Sequence, residues 1–226
     1  MPTLEAKDTL FRKKSTLNCH GKLLSLEVPL VMGILNLTPD SFYPGSRLSS
    51  AKEAVQKAAQ MLADGADILD IGGYSSRPGA ADITAQEEKE RILPAIEAIM
   101  REFPEAVVSV DTFRADVAEA SVAAGAAIIN DISGGLLDEK MFETVARLQV
   151  PYILMHMRGT PQTMASLAKY DNLVTEVLDE LQVQVAKLRQ LGVKDIIVDP
   201  GFGFAKTVEH NFELLRHMED LRILGL

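Results

Sequence analysis

Six short apolar runs, each followed by a longer segment of helical pattern, restrict this chain more than any other feature. The runs are Leu30–Asn36, Asp67–Ile71, Val107–Asp111, Ala126–Asp131, Pro151–His156 and Asp195–Asp199. Each is about the length of a strand and is apolar on both faces, as a strand in a covered parallel sheet must be. Between them lie Ser50–Gly65, Thr84–Phe103, Ala115–Gly125, Asp138–Gln149 and Asn172–Gly192, with apolar residues at three- and four-residue spacing. The last of these places Leu173, Val177, Leu181, Val185 and Leu188 on one stripe. A repeated strand–helix unit implies right-handed crossovers and a parallel α/β sheet. Ahead of the repeat, "TLNCHGKLLSLE" predicts a hairpin turning at Asn18–Gly21.

The runs finish in polar residues or glycine: Asn36, Asp70-Ile71-Gly72-Gly73, Asp111, Asn130-Asp131, His156 and Asp199-Pro200-Gly201. In a (β/α)8 barrel every strand delivers its carboxyl end to one mouth. An open doubly wound sheet recruits only the few strands beside its switch point. The succession therefore predicts a TIM-type barrel of which about six β/α units are present, residues 1–226 forming one domain. With 47% hydrophobic residues, the 226-residue chain has ample material for such a core. Its net charge of −9 argues against a nucleic-acid backbone partner. No apolar stretch approaches the ~20 residues of a spanning helix, no signal peptide is visible, and the single cysteine excludes an internal disulfide. These features make a cytoplasmic protein the default expectation.

Asp111, Asn130 and Asp199 each follow an apolar strand. One such carboxylate is as readily a helix cap as a ligand group; three polar residues at successive strand ends favour a shared ligand. Two carboxylates and a carboxamide suit a flat heterocycle with adjacent N–H donors and a carbonyl, such as a pterin or guanine edge. "DPGFGFAK", Asp199 to Lys206, adds two ring faces and a cation, unless Phe202 and Phe204 merely fold onto the barrel and Lys206 is solvated. In "GILNLTPDSF" the Asn36 oxygen is a candidate for a magnesium shell, while Thr38-Pro39-Asp40-Ser41 reads equally as an ordinary loop. In "DIGGYSSRPGA", Arg77 with Ser75 and Ser76 suits a phosphate or carboxylate, against the plainer reading of a turn paired with Asp82. His156, in "ILMHMRGTPQTM", reads as a hydrogen-bonded core histidine more readily than as a base, and Met155 as a soft wall for a flat ring.

Five segments in order, "GILNLTPDSF", "DIGGYSSRPGA", "VDTFRADVAEASVAAGAAIINDISGG", "YILMHMRGTP" and "DPGFGFAKTVEHNFELL", resemble the dihydropteroate synthase family from about Val31 onward. The resemblance implies a TIM-barrel enzyme of folate synthesis, usually a homodimer and the target of sulfonamides. Such an enzyme condenses p-aminobenzoate with 6-hydroxymethyl-7,8-dihydropterin diphosphate and releases pyrophosphate with Mg²⁺. Carried onto this chain, Asp111, Asn130 and Asp199 would hold the pterin, with Met155 and Phe204 near it; Lys206 joins the substrate-binding candidates from its own motif. Asn36 would face the metal and diphosphate. Ser76 and Arg77 would engage the diphosphate and, with Phe42 and Pro78, form the aminobenzoate pocket. Asn36, Arg77 and Asp111 are the residues expected to carry the chemistry.

Two departures accompany the resemblance. Tyr74-Ser75-Ser76-Arg77-Pro78 stands where the family usually has Glu-Ser-Thr-Arg-Pro. "LRILGL" reads as the approach to a seventh strand, so these residues are expected to lack the last two β/α units, and their activity alone is in question. A pterin-binding methyltransferase domain and a non-catalytic pterin-binding module are the competing expectations.

Overall fold

A strand buried on both faces needs cover on both, and the sheet obtains it asymmetrically. In the computed structural model, which describes residues 14–37, 47–75 and 82–226 (backbone alone for 47–50), six parallel strands lie in the order β3-β4-β5-β6-β7-β8. They are β3 (Met32–Asn36), β4 (Ile68–Gly72), β5 (Val107–Asp111), β6 (Ile128–Asp131), β7 (Tyr152–Met155) and β8 (Ile196–Asp199). Spatial order follows chain order without reversal, so right-handed crossovers put all the connecting helices on one face. These are α1 (Arg47–Ala63), α2 (Ala85–Glu102), α3 (Ala115–Ala123), α4 (Met141–Leu148) and α5 (Leu173–Gln190), followed after β8 by α6 (Val208–Arg216).

The helix-covered face holds the main core. Leu35, Leu69, Ile71, Val108, Val110, Ile129, Leu154 and Ile196 pack there against the helices. The stripe expected on α5 is buried at all five positions. At ~1.5–3 kcal/mol per side chain, that stripe contributes on the order of 10 kcal/mol of gross stabilisation, before the entropy of ordering it. Helix α2 begins on a capping box, Thr84 accepting from the Glu87 amide at 3.2 Å while Glu87 accepts from the Thr84 amide at 2.8 Å.

The other face is covered from below. The hairpin β1 (Thr16–Cys19) and β2 (Lys22–Ser25) pairs antiparallel as expected, and its Leu17 and Cys19 pack on Ile68, Val107, Ile128 and Ile153. That plug closes the amino-terminal end of the inner face and leaves the carboxyl end free for a ligand.

The sheet is an open arc, as a barrel with about six of its β/α units must be: among the described residues β3 and β8 each pair on one side only, and Ile34, which faces inward, is 64% exposed. One sequence expectation changes. The segment read as the approach to a seventh strand is instead the 3-10 helix Met218–Leu224. Its Leu221, Leu224 and the following Leu226 pack onto the core, and Arg189 donates to the carbonyls of Leu224 (3.0 Å) and Gly225 (2.9 Å). A compact helical turn buries those leucines here, which an extended segment would leave uncovered.

Candidate functional site

In a parallel sheet, register partners point their side chains to the same face. One line of partners runs Asn36–Gly72–Asp111–Asn130–Ile153–Ile197. Two residues further along, on the same face, Met155 partners Asp199. One line below, Asp70 lies between Ile34 and Ser109. Asn36, Asp111, Asn130, Met155 and Asp199 therefore share the inner face at the carboxyl end of the sheet. Asp131, next to Asn130, takes the opposite face by the two-residue period. There it accepts from the Tyr152 hydroxyl at 2.7 Å and from the Ser133 amide and hydroxyl, both at 2.7 Å, a structural role.

Gly72 is what lets the polar groups crowd together. A methyl on it would sit 3.3 Å from both Asn36 Oδ1 and Asp111 Oδ2. The Asn130 amide donates to Asp70 Oδ2 at 3.1 Å, and the second oxygen of this 4%-exposed carboxylate has no partner among the described residues. Burial pushes Asp111 well above the usual carboxylate range, reinforced by the like charges of Asp70, Glu88 and Asp131. Burial raises Asp70 too, the Ser109 hydroxyl and then the Asn130 amide only partly offsetting it. The inner face thus offers acceptors in excess of donors, in a setting where unpaired acceptors are costly. A ligand edge rich in N–H groups would supply what is missing.

Above this polar layer Met155, Met157, Met164, Ile132 and Ala205 form an apolar cluster with Phe113 and Phe204 packed against it. It walls the site beside Asp199, whose Oδ1 accepts from the Gly201 amide at 2.7 Å. Gly201 has φ +69°, and a Cβ on it would fall 2.1 Å from the carbonyl oxygen of His156. The loop after β8 therefore lies directly on the end of β7, and only glycine fits there.

Comparison with known proteins follows the same outline. The sequence matches the pterin binding enzyme family over residues 32–226. It is 46% identical over 197 residues to a dihydropteroate synthase of Synechocystis, covering 86% of this chain and 68% of that protein. The chain belongs to the dihydropteroate synthase family of pterin-binding enzymes. A mitochondrial bifunctional folate synthesis protein of pea is 48% identical over 200 residues, 85% of this chain but 39% of that protein. The Xanthomonas albilineans dihydropteroate synthase solved with 4-aminobenzoic acid superposes with a TM-score of 0.86 at 39% identity. That match covers 95% of this chain and 76% of that one. The chain thus spans between about two fifths and three quarters of these synthase relatives.

The residues that the synthase resemblance singled out divide into three groups. Asn36, Asp111, Asn130, Met155 and Asp199 are gathered on the inner face, with Phe204 in the apolar wall. Phe42, Ser76, Arg77 and Pro78 lie outside the described residues. Lys206, read from its motif as a ligand cation or a solvated one, has its amine 2.9 Å from His156 Nδ1 and 2.9 Å from the Phe204 carbonyl, between two loops. His156 agrees with its reading as a hydrogen-bonded core residue, its Nε2 lying 3.0 Å from Glu180.

Tyr74, which replaces the glutamate usual in synthases, packs edge-on against Phe113 at 5.0 Å and accepts from the Gln162 amide at 3.3 Å. It ties the loop after β4 to those after β5 and β7. Asp70 was legible only as part of a polar strand end, without a role in the site. Its only signal was an acid two residues before Gly72 inside an otherwise apolar run, which the two-residue period would have placed inward.

Proposed function

We propose that this chain carries the pterin half of a dihydropteroate synthase site, and that it condenses 6-hydroxymethyl-7,8-dihydropterin diphosphate with p-aminobenzoate to give 7,8-dihydropteroate and pyrophosphate. The observation that carries the reading is the placement of Asp111, Asn130 and Asp199 on one inner face, with Asp111 and Asn130 as direct register partners. The Xanthomonas albilineans relative solved with 4-aminobenzoic acid supports the second substrate.

The chain's own groups act on the substrate in this reading as binders and orienters. Asp111, Asp199 and the Asn130 carboxamide would take the N–H donors and carbonyl of the pterin ring, and Met155 and Phe204 would lie against the bicycle. Held so, the ring would present its methylene toward Asn36. The bond between methylene carbon and diphosphate oxygen breaks with its electron pair leaving on pyrophosphate. The aromatic amine forms the new C–N bond and releases a proton to solvent. No nucleophilic side chain is required; positioning and stabilisation of the leaving charge supply the rate.

Magnesium fits this site as a partly hydrated ion shared with the substrate. Among the described residues no group of three or more His, Cys, Asp and Glu is arranged to hold a metal. Asn36 does present a carboxamide oxygen beside Gly72 at the mouth. Mg²⁺ characteristically takes one or two protein oxygens together with phosphate oxygens and water. Asn36 would hold it, and the ion when bound would offset charge on the departing pyrophosphate. The same reading places a homodimer in the cytoplasm.

Titration calorimetry tests the proposal. The pterin diphosphate binds more tightly with Mg²⁺ than without it, hydroxymethyl-dihydropterin shows no such difference, and p-aminobenzoate binds only after pterin diphosphate. A methyltransferase-type domain would show neither Mg²⁺ dependence nor aminobenzoate capture, and a non-catalytic module would bind without releasing pyrophosphate.

A further inference from the structure

Lys206 is held by the protein on several sides. Its amine donates to His156 Nδ1 at 2.9 Å and to the Phe204 carbonyl at 2.9 Å, with the His156 carbonyl at 3.4 Å. Because Nδ1 accepts, the imidazole proton sits on Nε2 and is donated to Glu180 at 3.0 Å. Glu180 in turn accepts from Arg158 Nε at 2.9 Å. Arg158 also donates to Glu176 at 2.7 Å and to the Lys169 carbonyl at 2.7 Å, and lies 4.0 Å from the centre of the Tyr170 ring. The Tyr170 hydroxyl donates to the Ala205 carbonyl at 3.0 Å. Two routes therefore run from α5 to the loop after β8, one through His156 and Lys206 and one through Arg158 and Tyr170. That loop begins at Asp199 and contains Phe204, and His156 directly follows Met155.

We infer that Lys206 and His156 are a positioning pair that locks the loop after β8 onto the end of β7, setting Asp199, Met155 and Phe204 for the pterin ring without touching it. The inference rests on the pterin reading of the site. Charge supports the geometry. Burial, then the Lys206 cation, push His156 down to about 4, so the imidazole stays a neutral acceptor at physiological pH. Burial pulls Lys206 down to about 8, opposed by Asp199 and Glu180. The charged and titratable groups around the pair are Asp199 on β8, Glu176 and Glu180 on α5, Arg158 after β7, Tyr170 before α5, and His210 of α6, whose ring meets Tyr170 at 5.2 Å.

The test uses pterin fluorescence titrations of the chain, which has no tryptophan of its own, together with amide hydrogen exchange over residues 200–206. Lys206→Met loses pterin affinity about tenfold at pH 7, as expected for uncoupling one buried charged contact. Its deficit shrinks as pH rises past about 8, because wild type loses the same charge; a purely structural lesion would keep a constant ratio. His156→Leu reproduces the loss, and the double variant adds nothing to it. His156→Asn, which keeps an acceptor at the δ position, recovers most of the affinity and serves where the larger changes impair folding.

Affinity within about twofold of wild type in Lys206→Met overturns the inference, as does a full additional loss in the double variant. A wild-type chain that binds no pterin overturns the functional reading instead. Exchange over 200–206 that accelerates in Lys206→Met would then still establish the lock, and unchanged exchange would remove it.

Discussion

Replacing Asp111 with asparagine should raise stability while weakening ligand binding. Asp111 faces inward, next to Asn130 in register and beside Asp70, Glu88 and Asp131 in charge. A carboxyl whose folded pKa lies above its unfolded value, about 3.9, binds its proton more tightly when folded. Its contribution to stability is therefore fully present below pH ~4 and is lost as pH rises through the raised folded value. Asparagine has nearly the same shape and no charge, so it removes the desolvation cost and the three like-charge interactions. The expected gain at pH 7 is ~1–3 kcal/mol, the cost typical of a buried polar group short of partners. It vanishes toward pH 4. Binding moves the other way. One acceptor becomes a donor facing the N–H groups of the ring, which forfeits a charge-assisted hydrogen bond and adds a donor–donor conflict. A loss of ~2–3 kcal/mol corresponds to about 30- to 150-fold in dissociation constant. Urea denaturation between pH 4 and 8 reads the first effect and calorimetric titration with the dihydropterin diphosphate the second. A variant less stable than wild type at pH 7, or one that binds pterin equally well, would refute the electrostatic account of the inner face.

Two further perturbations test the scaffold. Tyr152→Phe removes one donor from buried Asp131 and should cost ~1–3 kcal/mol; because Asp131, already raised by burial, moves higher still, the deficit should grow as pH rises from 4 to 7 in denaturant titrations. Gly201→Ala forces a Cβ to within 2.1 Å of a carbonyl oxygen at φ +69°, so a loss of roughly 3 kcal/mol or more and a pterin site impaired at Asp199 are expected from thermal melts and titration. An alanine variant as stable as wild type would show that the loops after β7 and β8 are not in contact as described.

Much of the fold could be read from periodicity. Apolar runs such as Val107–Asp111 and the stripe from Leu173 to Leu188 bury the faces expected of them, because burial of those residues admits few other arrangements. Strand ends were legible for the same reason: a polar residue closing a buried strand stands out. Ser109 and the pairing of Asp70 with it were not, since a single polar residue inside an apolar strand announces neither its face nor its neighbour. The Lys206–His156–Glu180 chain was also hidden. Its members come from a loop, a strand end and the surface of a helix, and Glu180 looks like any solvated acid on α5.

The residues alone determined that the chain builds parallel strands in chain order, with helices between and polar groups at one end, because the spacing of apolar side chains dictates which faces meet. They could not decide which of two adjacent polar residues faces inward: register and the two-residue pleat turned Asn130 toward the mouth and Asp131 toward Tyr152. Nor could they decide what a charged side chain would find. Lys206 had the composition of a ligand group, and the close contact of the loops after β7 and β8 gave it an imidazole and backbone carbonyls instead. Pairing of buried charges depends on distances across the fold, and those exist only once the chain has closed on itself.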